Sequence, residues 1–214
     1  VYGQAKSLPI TENAEIKNAE SPYGNTKQIC EEILKDSSAA YNLKSITLRY
    51  FNPIGAHPTG EIGELPIGVP QNLVPFITQS AAGIRGTLSI YGDDYPTPDG
   101  TAIRDYIHVV ELAQAHIIAL ERLLNNNNTS PMEIFNLGTG KGASVLDVIK
   151  AFEKTSGEKL NYKIVGRRKG DITSAYADTT RAKEILKWES KKTLEDALKD
   201  AWRWQKKLGQ ENSD

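Results

Sequence analysis

Tyr23 and Lys27 lie four residues apart, a spacing that on a helix brings a phenol and an ammonium onto one face. A free phenol ionises near pH 10 and is a poor base at neutrality. A neighbouring ammonium favours the phenolate and pulls that value down. Such a pair can act as a general base that takes a proton from a hydroxyl group. The spacing alone is weak evidence in a chain with nine tyrosines, and Tyr2 and Lys6 repeat it in a loop-like segment. An exposed helical pair is the plain alternative.

A second group is cationic. Arg104 and the run Arg167-Arg168-Lys169, followed by Gly170-Asp171, offer guanidinium forks that match phosphate oxygens two at a time. The alternative for the run is a solvated basic turn. A third feature, Gly138-Thr139-Gly140-Lys141-Gly142-Ala143, follows an apolar strand and fits the G-x-G-x-x-A dinucleotide pattern. Its acidic companion should close the next strand. The available acid, Glu158, instead precedes a strand that starts near Leu160. Ser144 and Asp147 form a capping-box-like start, so these glycines read as a tight strand-to-helix turn. His57, His108 and His116 are too scattered to suggest a metal triad.

The elements that must hold these groups alternate. Ser21 and Pro22 open a helix over Tyr23–Asn42 with Ile29, Cys30, Ile33, Leu34 and Ala40 on one face. A strand over 45–51 follows, half of a βαβ repeat. Residues 52–71 are rich in Pro and Gly and read as a functional loop. Beyond it the pattern gives a helix at 73–82, strands at 88–91 and 104–108, and a helix at 110–124. Then come a strand at 133–137, a helix at 145–154, a strand at 161–165, and helices at 179–186 and 194–207. Trp188, Trp202 and Trp204 read as packing anchors of the C-terminal helices. The opening Val1-Tyr2-Gly3 resembles a strand end, so the chain is expected to be a fragment.

With 214 residues, 39% hydrophobic and 25% charged, the chain has the composition of a globular protein. A net charge of -1 gives no field to attract nucleic acid. The single cysteine, Cys30, excludes an internal disulfide and fits a cytoplasmic location. No apolar run is long enough to span a membrane.

Several colinear motifs carry a family resemblance. Ser21-Pro22-Tyr23-Gly24-Asn25-Thr26-Lys27, followed by Leu48-Arg49-Tyr50-Phe51-Asn52-Pro53-Ile54-Gly55, resembles the extended short-chain dehydrogenase/reductase family. The continuation through Ala56-His57-Pro58, with the runs 92–97, 99–109, 135–140 and 167–171, resembles its UDP-glucose 4-epimerase branch over nearly the whole chain. The resemblance implies an α/β fold: a partial Rossmann-like parallel sheet without its N-terminal βα units, plus a smaller mixed α/β substrate domain. Residues 1–52 would belong to the NAD-binding part and 53–214 mainly to the UDP-sugar part, with 103–125 returning to the NAD-binding sheet.

The resemblance also implies roles. Tyr23 would be the base and Lys27 its partner and a ligand of the nicotinamide ribose, with Tyr50 and Phe51 on the nicotinamide side. Asn52 would bond the sugar or its phosphate, and Asn72 the diphosphate or sugar, with Leu73 close by. Ser89 and Tyr91 would line the uracil pocket. Arg104 and Arg168 would clamp the diphosphate, and Asp171 would accept from a ribose hydroxyl. Ala175 falls where some relatives carry a bulky Tyr, which would leave room for a 2-acetamido group.

The implied reaction interconverts UDP-glucose and UDP-galactose by transient oxidation at C4 with bound NAD, in a homodimer. A fragment without the glycine-rich NAD loop would be inactive alone. The alternatives are a related NAD-dependent epimerase or dehydratase, or a non-catalytic UDP-sugar-binding module. For the site to work, Tyr23 must face the cleft ringed by the two arginines.

Overall fold

The computed structural model describes residues 1–19 and 21–211. Helix α1 (Pro22–Tyr41) starts as the sequence predicts, with Pro22 in its first turn and Ser21 Oγ accepting the Gly24 N–H at 3.1 Å. Asn42, in the left-handed region, ends it. The expected apolar seam is not where the helix docks. Gln28 Nε2 donates to the carbonyls of Val1 and Lys17, Glu31 pairs with Arg49, and Ser38 is the buried residue of the helix. These three lie on one face, and Ile29 and Ile33, turned well away from it, stay exposed. The helix is therefore tied down by polar contacts.

Strand β1 (Ser45–Tyr50) runs parallel to β6 (Met132–Leu137), and the ladder ends with Phe51 N–H donating to Leu137 O at 3.0 Å. The chain then changes partner. Asn52 N–H donates to Asp105 O at 2.9 Å, and β2 (Asn52–Ile54) pairs in parallel with β5 (Tyr106–His108). Residues 52–54, expected as loop, are thus a short strand that this pairing creates. Helix α3 (Val109–Leu124) follows β5, its first turn capped by His108 Nδ1, which accepts the Val110 N–H. Ile107, Leu112, Ala115, Ala119, Phe135, Leu137 and Trp188 form the core around these elements.

A second core lies under β3 (Leu88–Tyr91), parallel to β8 (Tyr162–Val165), and helices α2 (Leu73–Ala81), α4 (Val145–Ser156) and α5 (Leu194–Glu211). Phe152 meets Trp202 edge-on at 5.7 Å between ring centres. The predicted strand 104–108 is split. Strand β4 (Ile103–Arg104) lies between β7 (Ala143–Ser144, antiparallel) and β9 (Ser174–Ala175, parallel), and Asp105 separates it from β5. The predicted helix at 179–186 is mainly a five-residue π-helical turn, Ala182–Leu186, ended by left-handed Lys187. Trp204 also departs from the core role. Its Nε1 donates to Glu64 O, and it packs against Gly63, where a Cβ would lie 2.4 Å from the indole. Val1-Tyr2-Gly3 is not a strand end; Tyr2 is buried and donates to Asn136 Oδ1 at 2.6 Å.

Candidate active site

The clearest constellation is cationic and aromatic. The β4–β9 pairing sets Arg104 opposite Ala175 and carries it toward Asp171, four residues before Ala175. Arg104 has a side-chain exposure of 16%, donates to Ile103 O at 2.8 Å, and comes no nearer than 4.0 Å to the Asp171 carboxylate. Burial lowers its pKa, against the opposing pull of Tyr106 and Asp171. Tyr106 is buried beside it and its phenol is pushed up to about 12 by that burial, so it stays protonated. Arg168 pairs with Asp171 at 2.9 Å, and this hydrogen bond raises the arginine's pKa. The Arg168 guanidinium also covers the ring of Tyr91 at 5.5 Å. Two guanidiniums, one carboxylate and an exposed aromatic face therefore converge. Asp171, expected to await a ribose hydroxyl, is engaged by Arg168, because it is the acid nearest to both cations.

Tyr23 and Lys27 are not joined to that cluster. No hydrogen bond, ion pair or ring contact among the described residues links either to Arg104, Arg168 or Asp171. Tyr23 is 71% exposed, and Lys27 Nζ stands over its ring at 5.1 Å from the centroid. The expectation of a phenol enclosed in the arginine cleft is therefore not met by this chain alone. The reason is local: α1 docks through Gln28, Glu31 and Ser38, and its first turn projects beyond that contact. Tyr50 is 46% exposed at the end of β1, with its ring tilted on His116 at 6.2 Å. Phe51 is half-buried at the partner switch, and Asn52 is exposed beyond it.

The remaining expected residues fall in different surroundings. Asn72 precedes α2, and its amide donates to Glu64 Oε1 at 2.9 Å. It lines a cavity of about 540 Å³ with Pro53, Ile54, His57, Val109 and Ala113. Leu73 packs against the second core, and Ser89 lies half-buried in β3 opposite Lys163. Ala175, expected to border an open sugar pocket, is 7% exposed and clusters with Tyr2 and Ile10, with Phe51 packed alongside. The next residue, Tyr176, packs near Gly142 instead, as strand alternation requires.

The glycine turn has its own anion. Asp105 is fully buried, and its carboxylate accepts from Thr139 N–H at 2.8 Å and from Gly140 N–H and Ala177 N–H at 3.1 Å each. Gly138 is required because a Cβ there would meet Asp105 Oδ2 at 2.3 Å. Ser144 and Asp147 form the expected capping box of α4. The amides that could cradle a phosphate are thus taken by an internal carboxylate, and the structural reading of this turn holds. Sequence reasoning missed Asp105 itself, since no local pattern separates it from any other acid in a strand.

Comparison with known proteins matches this geometry to a family. The sequence model of the family described as GDP-mannose 4,6 dehydratase matches residues 1–201. A UDP-glucose 4-epimerase of Drosophila melanogaster is 52% identical over 206 residues, which cover 96% of this chain and 59% of the relative. A UDP-glucose 4-epimerase from Stenotrophomonas maltophila, solved with bound NAD and formylated UDP-arabinopyranose, superposes with a TM-score of 0.93 at 45% identity, over 99% of this chain and 62% of the other. One from Bifidobacterium longum, in complex with NAD+ and UDP, gives 0.92 at 44% identity, over 98% and 62%. The chain spans about 60% of the length of these relatives. It belongs to the family whose model is described as GDP-mannose 4,6 dehydratase, and within that family it is similar to UDP-glucose 4-epimerases.

Proposed function

We propose that the whole protein interconverts UDP-glucose and UDP-galactose. The observation that carries this reading is the desolvated, underpaired guanidinium of Arg104 beside Arg168 and Tyr91, a set suited to a diphosphate and an aromatic base. Arg104 and Arg168 bind the diphosphate, Tyr91 stacks on uracil with Ser89 nearby, and Asp171 exchanges its arginine partner for a ribose hydroxyl. Asn52 and Asn72 contact the sugar-phosphate end, and Asn72 releases Glu64 to do so. Leu73 packs beside the nucleotide.

NAD fits only part of what is present. The glycine turn is filled by Asp105 and does not suit a dinucleotide, whereas exposed Tyr23 with Lys27 over its ring, exposed Tyr50 and half-buried Phe51 are the groups that would meet a nicotinamide riboside. When bound there, NAD supplies hydride transfer at the sugar C4. Tyr23 takes the proton of the 4-hydroxyl and later returns it, with Lys27 stabilising the phenolate. The exposure of Tyr23 is then closed by the part of the relatives' length that this chain does not span. Residues 1–52, joined by 103–125, serve that cofactor side, and 53–214 mainly the nucleotide side. The exposed Ile29 and Ile33 on α1 support a homodimer, checked by sedimentation of the whole protein.

The assay is direct. The whole protein with NAD should convert UDP-galactose to UDP-glucose, and the 214-residue chain alone should neither retain NAD nor turn over. Absence of turnover in the whole protein defeats the reading in favour of a UDP-sugar-binding module. Formation of a 4-keto-6-deoxy product would point to a dehydratase. A separate extension, resting on the family resemblance at Ala175 and not on its buried packing in this chain, is that the acetamido pair UDP-GlcNAc/UDP-GalNAc is also converted. No conversion of that pair removes this extension alone.

A further inference from the structure

The two halves of α1 are held differently. The second half carries Glu31, whose two oxygens accept from Arg49 Nε at 2.8 Å and Nη2 at 2.6 Å, and buried Ser38, which donates to Leu43 O at 2.8 Å. The first half carries Tyr23 and Lys27 and is barely packed. From Pro22 to Cys30 every residue except Gly24 and Gln28 is exposed. An open cleft of about 480 Å³, lined by Asn18, Pro22, Asn25 and Gln28, lies beside it. A helix end with so few tertiary contacts opens easily unless something ties it.

Gln28 is the tie. Among the described residues, the side-chain hydrogen bonds that join this half to the rest of the chain both come from its amide. Nε2 donates to Lys17 O at 2.7 Å and to Val1 O at 2.9 Å, so both N–H groups are used. The Val1 carbonyl belongs to an anchored backbone. The next residue, Tyr2, is buried, and its hydroxyl donates to Asn136 Oδ1 at 2.6 Å and accepts from Arg49 Nη1 at 2.8 Å. Arg49 and Asn136 face each other across β1 and β6, one residue before Tyr50 and Leu137. Gln28 thus refers the first half of the helix to the strand pair that ends at Tyr50. Along the axis Gln28 is about 7.5 Å from Tyr23, whereas Glu31, the next anchor, is about 12 Å away. Without the amide, the first two turns become a lever pivoting on Glu31.

We propose that Gln28 is a positioning residue for the reaction, whose two donated hydrogen bonds fix the tilt of the first turns of α1 and so the place of the Tyr23 hydroxyl relative to the strand end at Tyr50. This rests on the reading of Tyr23 as the base. Gln28 itself touches neither sugar nor cofactor; it acts through the helix.

The test compares two variants of the whole protein, assayed with NAD and UDP-galactose. Gln28→Glu keeps the length but sets an acceptor against two carbonyls, and Gln28→Lys restores donors. Calorimetry with UDP gives the affinity and, from its stoichiometry, the folded fraction by which kcat is corrected. In Gln28→Glu the corrected kcat should fall about 10–100-fold, with KM and the UDP Kd unchanged. In Gln28→Lys it should stay within about threefold of the unsubstituted protein. A residue that merely supported the fold would lower the folded fraction and leave the corrected kcat alone, and that result overturns the proposal. Equal losses in the two variants would assign the effect to packing, and a matching loss of UDP affinity would assign it to general loosening; either overturns it as well. Should Gln28→Glu not fold, Gln28→Met, uncharged and of similar length, replaces it in the same assay. If Tyr23→Phe keeps full kcat, the reading of Tyr23 itself fails, a result distinct from an unchanged Gln28→Glu beside an inactive Tyr23→Phe.

Discussion

Tyr23 and Arg104 show opposite degrees of preparation. One is 71% exposed on the first turn of a helix, and the other is 16% exposed between two short strands, with its charge stripped of water. A guanidinium is strongest as an anion ligand where the surroundings are desolvated and fixed, and the chain's own packing achieves that at Arg104. A base must meet both its substrate and its neighbours at the moment of reaction, and at Tyr23 the chain supplies only Lys27. On the proposed reading, the holding half of the site is built in, whereas the reacting half is left to be closed.

The most severe way to break this contrast is a crossed pair of substitutions. Tyr23→Phe in the whole protein should lower kcat by about 10²–10⁴-fold and leave UDP affinity intact. Arg104→Ala should do the converse first, weakening UDP binding by roughly 10–100-fold in calorimetry. If Tyr23→Phe loses UDP affinity as well, the two halves are not separate.

Stability offers a second comparison, between the helix that packs and the helix that docks. Phe152→Ala removes a fully buried ring from against Trp202 and should cost about 3–5 kcal/mol in urea unfolding. Ile33→Ser, on the exposed stripe of α1, should stay within about 0.5 kcal/mol at low protein concentration. A loss that grows with concentration would reveal a second copy covering that stripe.

The smallest effect concerns pH. His108 Nδ1 accepts the Val110 N–H, so Nε2 carries the proton and donates to Asp200 at 3.2 Å. Burial holds its pKa below the usual imidazole value, despite the opposing pull of Asp200 and Glu111, with Lys192 adding to the depression. The unfolded chain therefore takes up a proton near pH 6.5 that the folded chain refuses, and stability falls as pH drops through that value. Between pH 7.5 and 5.5 the melting temperature should decline by roughly a few degrees more than in His108→Asn, which keeps a capping acceptor.

What could be read from the sequence was what local chemistry decides. Ser21-Pro22 set the start of α1, Ser144 and Asp147 that of α4, and the glycine turn was distinguishable from a phosphate loop by the misplaced Glu158. The two-residue strands β7 and β9 were not legible, because they have no periodicity and exist only where Ile103 and Arg104 pair with them. The stripe of Ile29 and Ile33 was legible as apolar, but the partner of the helix turned out to be the polar row of Gln28, Glu31 and Ser38. Likewise the types of Arg104, Arg168 and Asp171 suggested a cluster, and the structure does bring the three side chains together. That Asp171 already occupies Arg168, and that the buried hydroxyl of Tyr95 has no hydrogen-bond partner among the described residues, depend on contacts the sequence does not display.

Asp105 has a mechanical consequence as well as a chemical one. Its side chain rivets the turn at 139–140 to Ala177, its carbonyl holds the amide of Asn52, and its peptide neighbour is Arg104. The strand end bearing Tyr50, Phe51 and Asn52 is therefore tied by one backbone hydrogen bond to the residue that follows Arg104. On the proposed reading, a sugar held from the arginine side meets a strand end anchored to the same stretch of backbone.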